Sequence, residues 1–104
     1  MRKLIATLSV VCLIAAIGAY VAFAATPSVS WHLGTNKTVN IHRGQKVTWV
    51  WTGDAPHNVK GKGFTSPTKN KKGYTYSHVF KTKGNFTITC TIHPGAMKTF
   101  VKVS

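Results

Sequence analysis

The chain has 104 residues, and its 14 Lys and Arg stand against a single acidic residue, for a formal net charge of +13. One domain is the expected organisation at this length, and its partners should be anionic. With Asp54 as the only side-chain carboxylate, enzymes built on paired acids are excluded, and any proton transfer would fall to His and Lys.

Arg2 and Lys3 precede an uncharged run from Leu4 to Ala25, and Ala22-Phe23-Ala24 has the small-x-small form of a cleavage site. Residues 1–25 are therefore expected to form a hydrophobic leader helix, either a signal peptide or a retained membrane anchor. The run approaches the roughly 20 residues that span a bilayer. Val11 stands before Cys12 where a lipoprotein would want a small residue, so lipidation is not expected. Either leader puts residues 26–104 outside the cytoplasm, in the periplasm or on the outer face of the cytoplasmic membrane. Export argues against nucleic acid as a partner. It also isolates Cys90, which has no second cysteine to pair with once the leader is gone. An unpaired thiol in an oxidising compartment is a liability unless it is buried or occupied.

Beyond the leader the apolar signal has period two and comes in short β-branched and aromatic runs. "SVSWHL" is a first strand and "KTVNIH" a second, followed by a turn at Arg43-Gly44. In "KVTWVWT", Val47, Trp49 and Trp51 face one way, and Thr48, Val50 and Thr52 the other. "PHNVK" is a short strand past the Gly53–Pro56 turn, and Gly61 to Tyr74, rich in Lys and Gly, is a long surface loop. "YSHVFKT" and "NFTITCT" pair around Lys83-Gly84, with Phe86, Ile88 and Cys90 on one face. "KTFVKVS" closes the chain, with Phe100, and Val101 or Val103, expected to pack inward. Seven to eight short strands at this spacing predict an all-β fold, a Greek-key sandwich or barrel.

The chemistry concentrates in "CTIHPGAM". Cys90 ends an alternating strand, His93 follows at three residues, Pro94-Gly95 turns the chain, and Met97 comes four residues after His93. Thiolate, imidazole and thioether together suit copper. Zinc would call for a second Cys or a carboxylate, and neither accompanies the cluster. A further His must complete the set. His57 is the strongest candidate, fixed by Pro56 at the start of its run. His42 reads as an exposed turn residue, His78 as a packed or edge residue beside Tyr76 and Phe80, and His32 as structural or surface.

"DAPHNV", "YSHVF", "NFTITC" and "CTIHPGAM" together resemble the cupredoxins, the type 1 blue copper proteins, and especially the plastocyanin, pseudoazurin and amicyanin group. The resemblance runs from about Lys37 to Ser104. It implies one type 1 copper ion with His57, Cys90 and His93 as equatorial ligands and Met97 as a weak axial ligand. It implies that Asn58 hydrogen-bonds across to the ligand loop, and that the ring edge of His93 reaches the surface near Gly95 and Ala96. The His57-to-Cys90 interval is short for the family, so the intervening lid is trimmed.

The expected activity is one-electron shuttling, in a monomer that is not an enzyme. A copper carrier without physiological electron transfer needs the same residues and is the alternative. Lys60, Lys62, Lys69, Lys71 and Lys72 are expected to steer an acidic redox protein, with an anionic membrane or cell-wall surface as a further candidate partner.

Overall fold

A computed structural model describes residues 26–104. The leader helix expected over residues 1–25 lies outside the described residues. Eight strands form: β1 Ser28–Trp31, β2 Asn36–Ile41, β3 Lys46–Trp51, β4 Lys60–Gly61, β5 Phe64–Thr65, β6 Thr75–Val79, β7 Gly84–Thr89 and β8 Lys98–Val103. They make two sheets, ordered β1-β3-β6 and β2-β8-β7-β4-β5. The all-β two-sheet architecture is the expected one: the chain crosses between the layers except at β4–β5 and β7–β8, which pair within one sheet. Among the described residues no helix is long and apolar enough to cross a membrane.

Alternation puts one face of each sheet into a common core. Val29, Trp31, Val47, Trp49 and Trp51 come from one layer, and Val39, Ile41, Ile88, Val101 and Val103 from the other. All are buried, and each large side chain removed from water contributes roughly 1.5–3 kcal/mol. Trp49 bridges the layers, its Nε1–H donating to Thr99 Oγ1 at 3.2 Å. That bond satisfies the indole and explains a fully buried threonine.

The C-terminal strand differs from expectation by one residue of register. Ile88 pairs with Thr99, Phe86 with Val101 and Gly84 with Val103. Residues opposite one another in a ladder share a face, so the inward Ile88 fixes Thr99, Val101 and Val103 inward. Phe100, paired with Thr87, turns to the outer face and is only half-buried.

The expected strand "PHNVK" largely dissolves. Only Lys60–Gly61 is strand, and His57 makes a single antiparallel bridge with Lys69. Pro56 has no N–H to give a ladder, and Asn58 and Val59 spend their polar groups elsewhere. The expected loop from Gly61 to Tyr74 is more ordered than its composition indicates. It turns back at once as β5, through Gly63 at φ +86°, and the Phe64 ring lies where a Cβ on Gly61 would sit, 2.5 Å away. Ser66 then pins it: its N–H donates to Val59 O at 2.8 Å, and its hydroxyl accepts from Val59 N–H at 2.8 Å.

The register defines two poles. β1 and β3 end, and β2 and β8 begin, at an upper pole, where the 34–35 turn bonds the 96–98 segment (Gly34 N–H to Ala96 O, 2.8 Å; Lys98 N–H to Thr35 O, 2.8 Å). The β2–β3 turn, the end of β6 and the last residues meet at the lower pole, joined by Gly44 N–H to Phe80 O (2.7 Å) and Arg43 N–H to Ser104 O (2.9 Å).

Candidate metal centre

Three of the side chains singled out by sequence converge at the upper pole. One nitrogen or sulfur each from His57, Cys90 and His93 lies within 4.8 Å of the others. Each arrives from a different local cause. Cys90 is the first residue past β7 and continues its inward alternation, so its thiol is fully buried. His93 stands three residues on, where the chain curls back: its N–H donates to Cys90 O at 3.2 Å, and its own carbonyl accepts from Ala96 N–H at 3.0 Å. Pro94 occupies the second position of that turn, for which its fixed φ is suited. His57 is held from the other side of the cluster by a two-way backbone pair with Lys69, both bonds 2.9 Å.

The thiol is the hub. Cys90 Sγ lies 4.0 Å from His57 Nδ1 and 3.9 Å from His93 Nδ1. These are long for hydrogen bonds, but they fit donors that share an ion. Metal–sulfur bonds of about 2.3 Å and metal–imidazole bonds of about 2.0 Å, at angles near 120–130°, put sulfur and nitrogen roughly 3.7–3.9 Å apart. The two imidazole rings stand nearly edge to face, centroids 5.4 Å apart. Met97 is fully buried and belongs to the same core cluster as Cys90, following the turn directly into β8. The residues present therefore suit a soft-sulfur, two-imidazole copper site.

Burial divides the two histidines. His57 is 3% exposed, and its pKa is lowered, first by loss of solvation and then by the charges of His93 and His32. A neutral imidazole is the form that binds metal, and burial favours it. His93 is half-buried beside the exposed Ile92 and Pro94, so its ring stands between the core and solvent.

The expected crosslink by Asn58 is present and reciprocal. Asn58 Oδ1 accepts from Thr91 N–H at 2.8 Å, and Asn58 Nδ2–H donates to Thr91 Oγ1 at 2.9 Å. A residue adjoining His57 is thus bonded to the residue adjoining Cys90. Two further supports had no signal in the sequence. Trp31 Nε1–H donates to Asn58 O at 2.9 Å, and Lys69 O accepts from Trp51 Nε1–H at 2.9 Å as well as from His57. The Lys69 contribution is invisible in a residue code because it is made by a backbone carbonyl.

The other histidines go elsewhere. His42 lies at the lower pole with Nδ1 3.0 Å from Ser104 Oγ. His78 stacks on Phe64 at 3.7 Å between ring centroids, as an edge-strand packing residue. His32 is exposed in the turn next to Gly34. Of the five lysines expected to act together, Lys69, Lys71 and Lys72 flank His57 and Trp51. Lys62 instead lines a groove with Phe64, His78, Lys81 and Phe86.

Comparison with known proteins agrees with this geometry. Residues 34–104 match the model of the copper binding proteins of the plastocyanin/azurin family. No curated protein matches the sequence. Among solved structures, an oxidised amicyanin variant is 26% identical with a TM-score of 0.65, covering 76% of this chain and 82% of that one. A reduced amicyanin variant is also 26% identical, with a TM-score of 0.65 and coverage of 78% and 84%. A purple cupredoxin from Nitrosopumilus maritimus is 31% identical over 64% of this chain and 77% of that one, with a TM-score of 0.59. The chain belongs to the copper-binding plastocyanin/azurin family, the cupredoxins.

Proposed function

We propose that the protein is a type 1 copper electron carrier of the cell envelope, whose copper would be held by His57, Cys90, His93 and Met97. The observation that carries the reading is the buried Cys90 thiol facing two imidazole Nδ1 atoms at 3.9–4.0 Å. Copper, when bound, supplies a one-electron couple between Cu(I) and Cu(II). The chain's own residues keep the ligand positions fixed while that charge changes. The paired Asn58–Thr91 bonds resist separation of the two ligand segments, and bonds of this kind tune metal affinity and potential. Trp51 lies beside His57, ring centroids 6.5 Å apart, and the core keeps water from the fully buried Cys90 sulfur.

His93 is the exit for the electron. It is the ligand on the solvent side, with the exposed Ile92 (42%) next to it in sequence and the exposed Leu33 (61%) in the turn bonded to Ala96. Apolar surface permits close approach of a partner, and Lys69, Lys71 and Lys72, on the His57 side of the same pole, favour an acidic one. Residues 1–25 serve as the export leader and, if retained, as the anchor.

Adding Cu(II) to the purified protein should produce an intense thiolate-to-copper absorption band in the visible, and Cys90→Ser should abolish it. A colourless wild-type protein would overturn the reading. A carrier that only delivers copper is separated by self-exchange: an electron shuttle exchanges rapidly, and slow exchange with ready copper release would favour delivery.

A further inference from the structure

The two poles differ in more than the metal donors, and the way the chain enters the sandwich gives the lower pole a use. β1 runs parallel to β3 with Ser28 opposite Thr48, and Pro27 O accepts from Thr48 N–H at 3.0 Å. The chain therefore enters at the lower pole, and β1 carries it up to Trp31 beside Asn58. The polypeptide before this entry is the uncharged run from Leu4 to Ala25.

Four exposed cations stand around the entry point, among neutral side chains that include the exposed Val79 and Thr82. Arg43 sits in the β2–β3 turn, Lys46 opens β3 opposite Val79, and Lys81 and Lys83 occupy the β6–β7 turn. No acidic side chain opposes them. Asp54, the only acid in the chain, follows β3 at the other end, where its Oδ1 accepts from Lys72 N–H at 2.8 Å. Even with a carboxylate at Ser104, the lower pole keeps a positive surplus.

The geometry points to the lower pole as a docking face for an anionic lipid bilayer, with Arg43, Lys46, Lys81 and Lys83 against the head groups and the metal pole turned outward. The inference deepens the proposed envelope function and rests on residues 1–25 being kept as an anchor. Two observations select a bilayer over a soluble polyanion. The apolar run joins the domain at this pole and not at the other. The tether is also short: from Ala25 to Ser28 the chain reaches at most about 11 Å, close to the screening length of about 8–10 Å at physiological salt. Lysines held that near an anionic leaflet are attracted to it. The β3 strand, at roughly 20 Å, then holds His93 clear of the surface and open to a partner arriving from the aqueous side.

The test is lysine acetylation footprinting, read by mass spectrometry, on the copper-loaded full chain reconstituted into vesicles. One set is phosphatidylcholine alone, and the other contains phosphatidylglycerol. With the anionic lipid, modification of Lys46, Lys81 and Lys83 should fall about fivefold and recover in high salt, while Lys69, Lys71 and Lys98 stay reactive. In the double variant K81E/K83E the protection of Lys46 should be lost and the visible band kept. Equal labelling of both poles, protection centred on Lys69 and Lys71, or the same protection in phosphatidylcholine alone would each overturn the proposal. So would protection by soluble polyglutamate with none by anionic vesicles, which would give the pole to an acidic polymer. The intact mass of the native protein separately reads whether residues 1–25 are kept. Their removal would overturn the anchor, whereas the footprint on the full chain decides the face.

Discussion

The upper and lower poles close the same sandwich, the upper with the long 52–59, 66–74 and 90–97 connections and the lower with the short 42–45 and 80–83 turns, and they are built differently. At the upper pole polar side chains are buried and cross-bonded: Asn58 to Thr91, Trp31 to Asn58, Trp51 to Lys69. At the lower pole the turns are joined mainly by backbone bonds, such as Gly44 to Phe80, while the charged side chains point into water. A buried polar network is costly to leave half-satisfied and rigid when complete. An exposed turn asks little of its side chains. Rigidity is therefore concentrated where the metal donors are, and surface charge where packing does not constrain it.

The contrast is broken most severely by removing a donor. His57→Ala should lower Cu(II) affinity by more than about 100-fold, a loss beyond the 10–100-fold typical of supporting residues. His42→Ala, at the lower pole, should leave copper titration unchanged. If both behave alike, the assignment of His57 is wrong.

Asn58→Ala is the next largest. It leaves the Thr91 N–H without its partner, so unfolding in denaturant should show a loss of about 1–3 kcal/mol, with copper affinity down about 10-fold or more. Lys81→Ala and Lys83→Ala should each stay within about 0.5 kcal/mol of wild type. An Asn58 variant as stable and as tight-binding as these would mean that the crosslink is incidental.

Acid should affect the metal-free protein through the buried His57 and the half-buried His78. Loss of solvation lowers the pKa of His78 and, with help from His93 and His32, that of His57. The unfolded chain, with histidine near 6.5, then binds more protons than the folded one, so stability rises with pH across this range. The contribution is complete above about pH 6.5 and is lost as pH falls through the lowered folded values. Melting temperature of the metal-free protein should therefore drop below pH 6.5. His78→Gln should flatten part of the slope, and an unchanged slope would exclude His78 from it.

The smallest effect is at the metal-pole surface. Charge reversal at Lys69, Lys71 and Lys72 should slow association with an acidic redox partner and weaken its dependence on salt, with the visible spectrum unaltered. A rate indifferent to salt in the wild type would remove the steering role.

Much of the site was legible because its donors are rare residue types in short, patterned runs. Cys90 inherits its direction from the alternation of Phe86 and Ile88, and the His93–Ala96 turn follows from Pro94 and Gly95. The register of β8 was not legible. "KTFVKV" offers Phe100 and Val101 on opposite faces, and composition alone favours the larger ring. Only pairing with β7 decides for Val101, because Ile88 is already committed inward.

Residues 57–74 show the same limit in another form. Their composition reads as a strand and then a lysine-rich loop, but hydrogen bonds from Ser66 and Lys69 fold that loop back against His57. Local sequence determined the strands, the charge, the thiol's direction and the chemistry of the cluster, since each depends on neighbours along the chain. Tertiary structure decided which histidine meets that thiol and which pole the lysines occupy. Those contacts join residues far apart in sequence, and their geometry exists only once both sheets have closed over a common core.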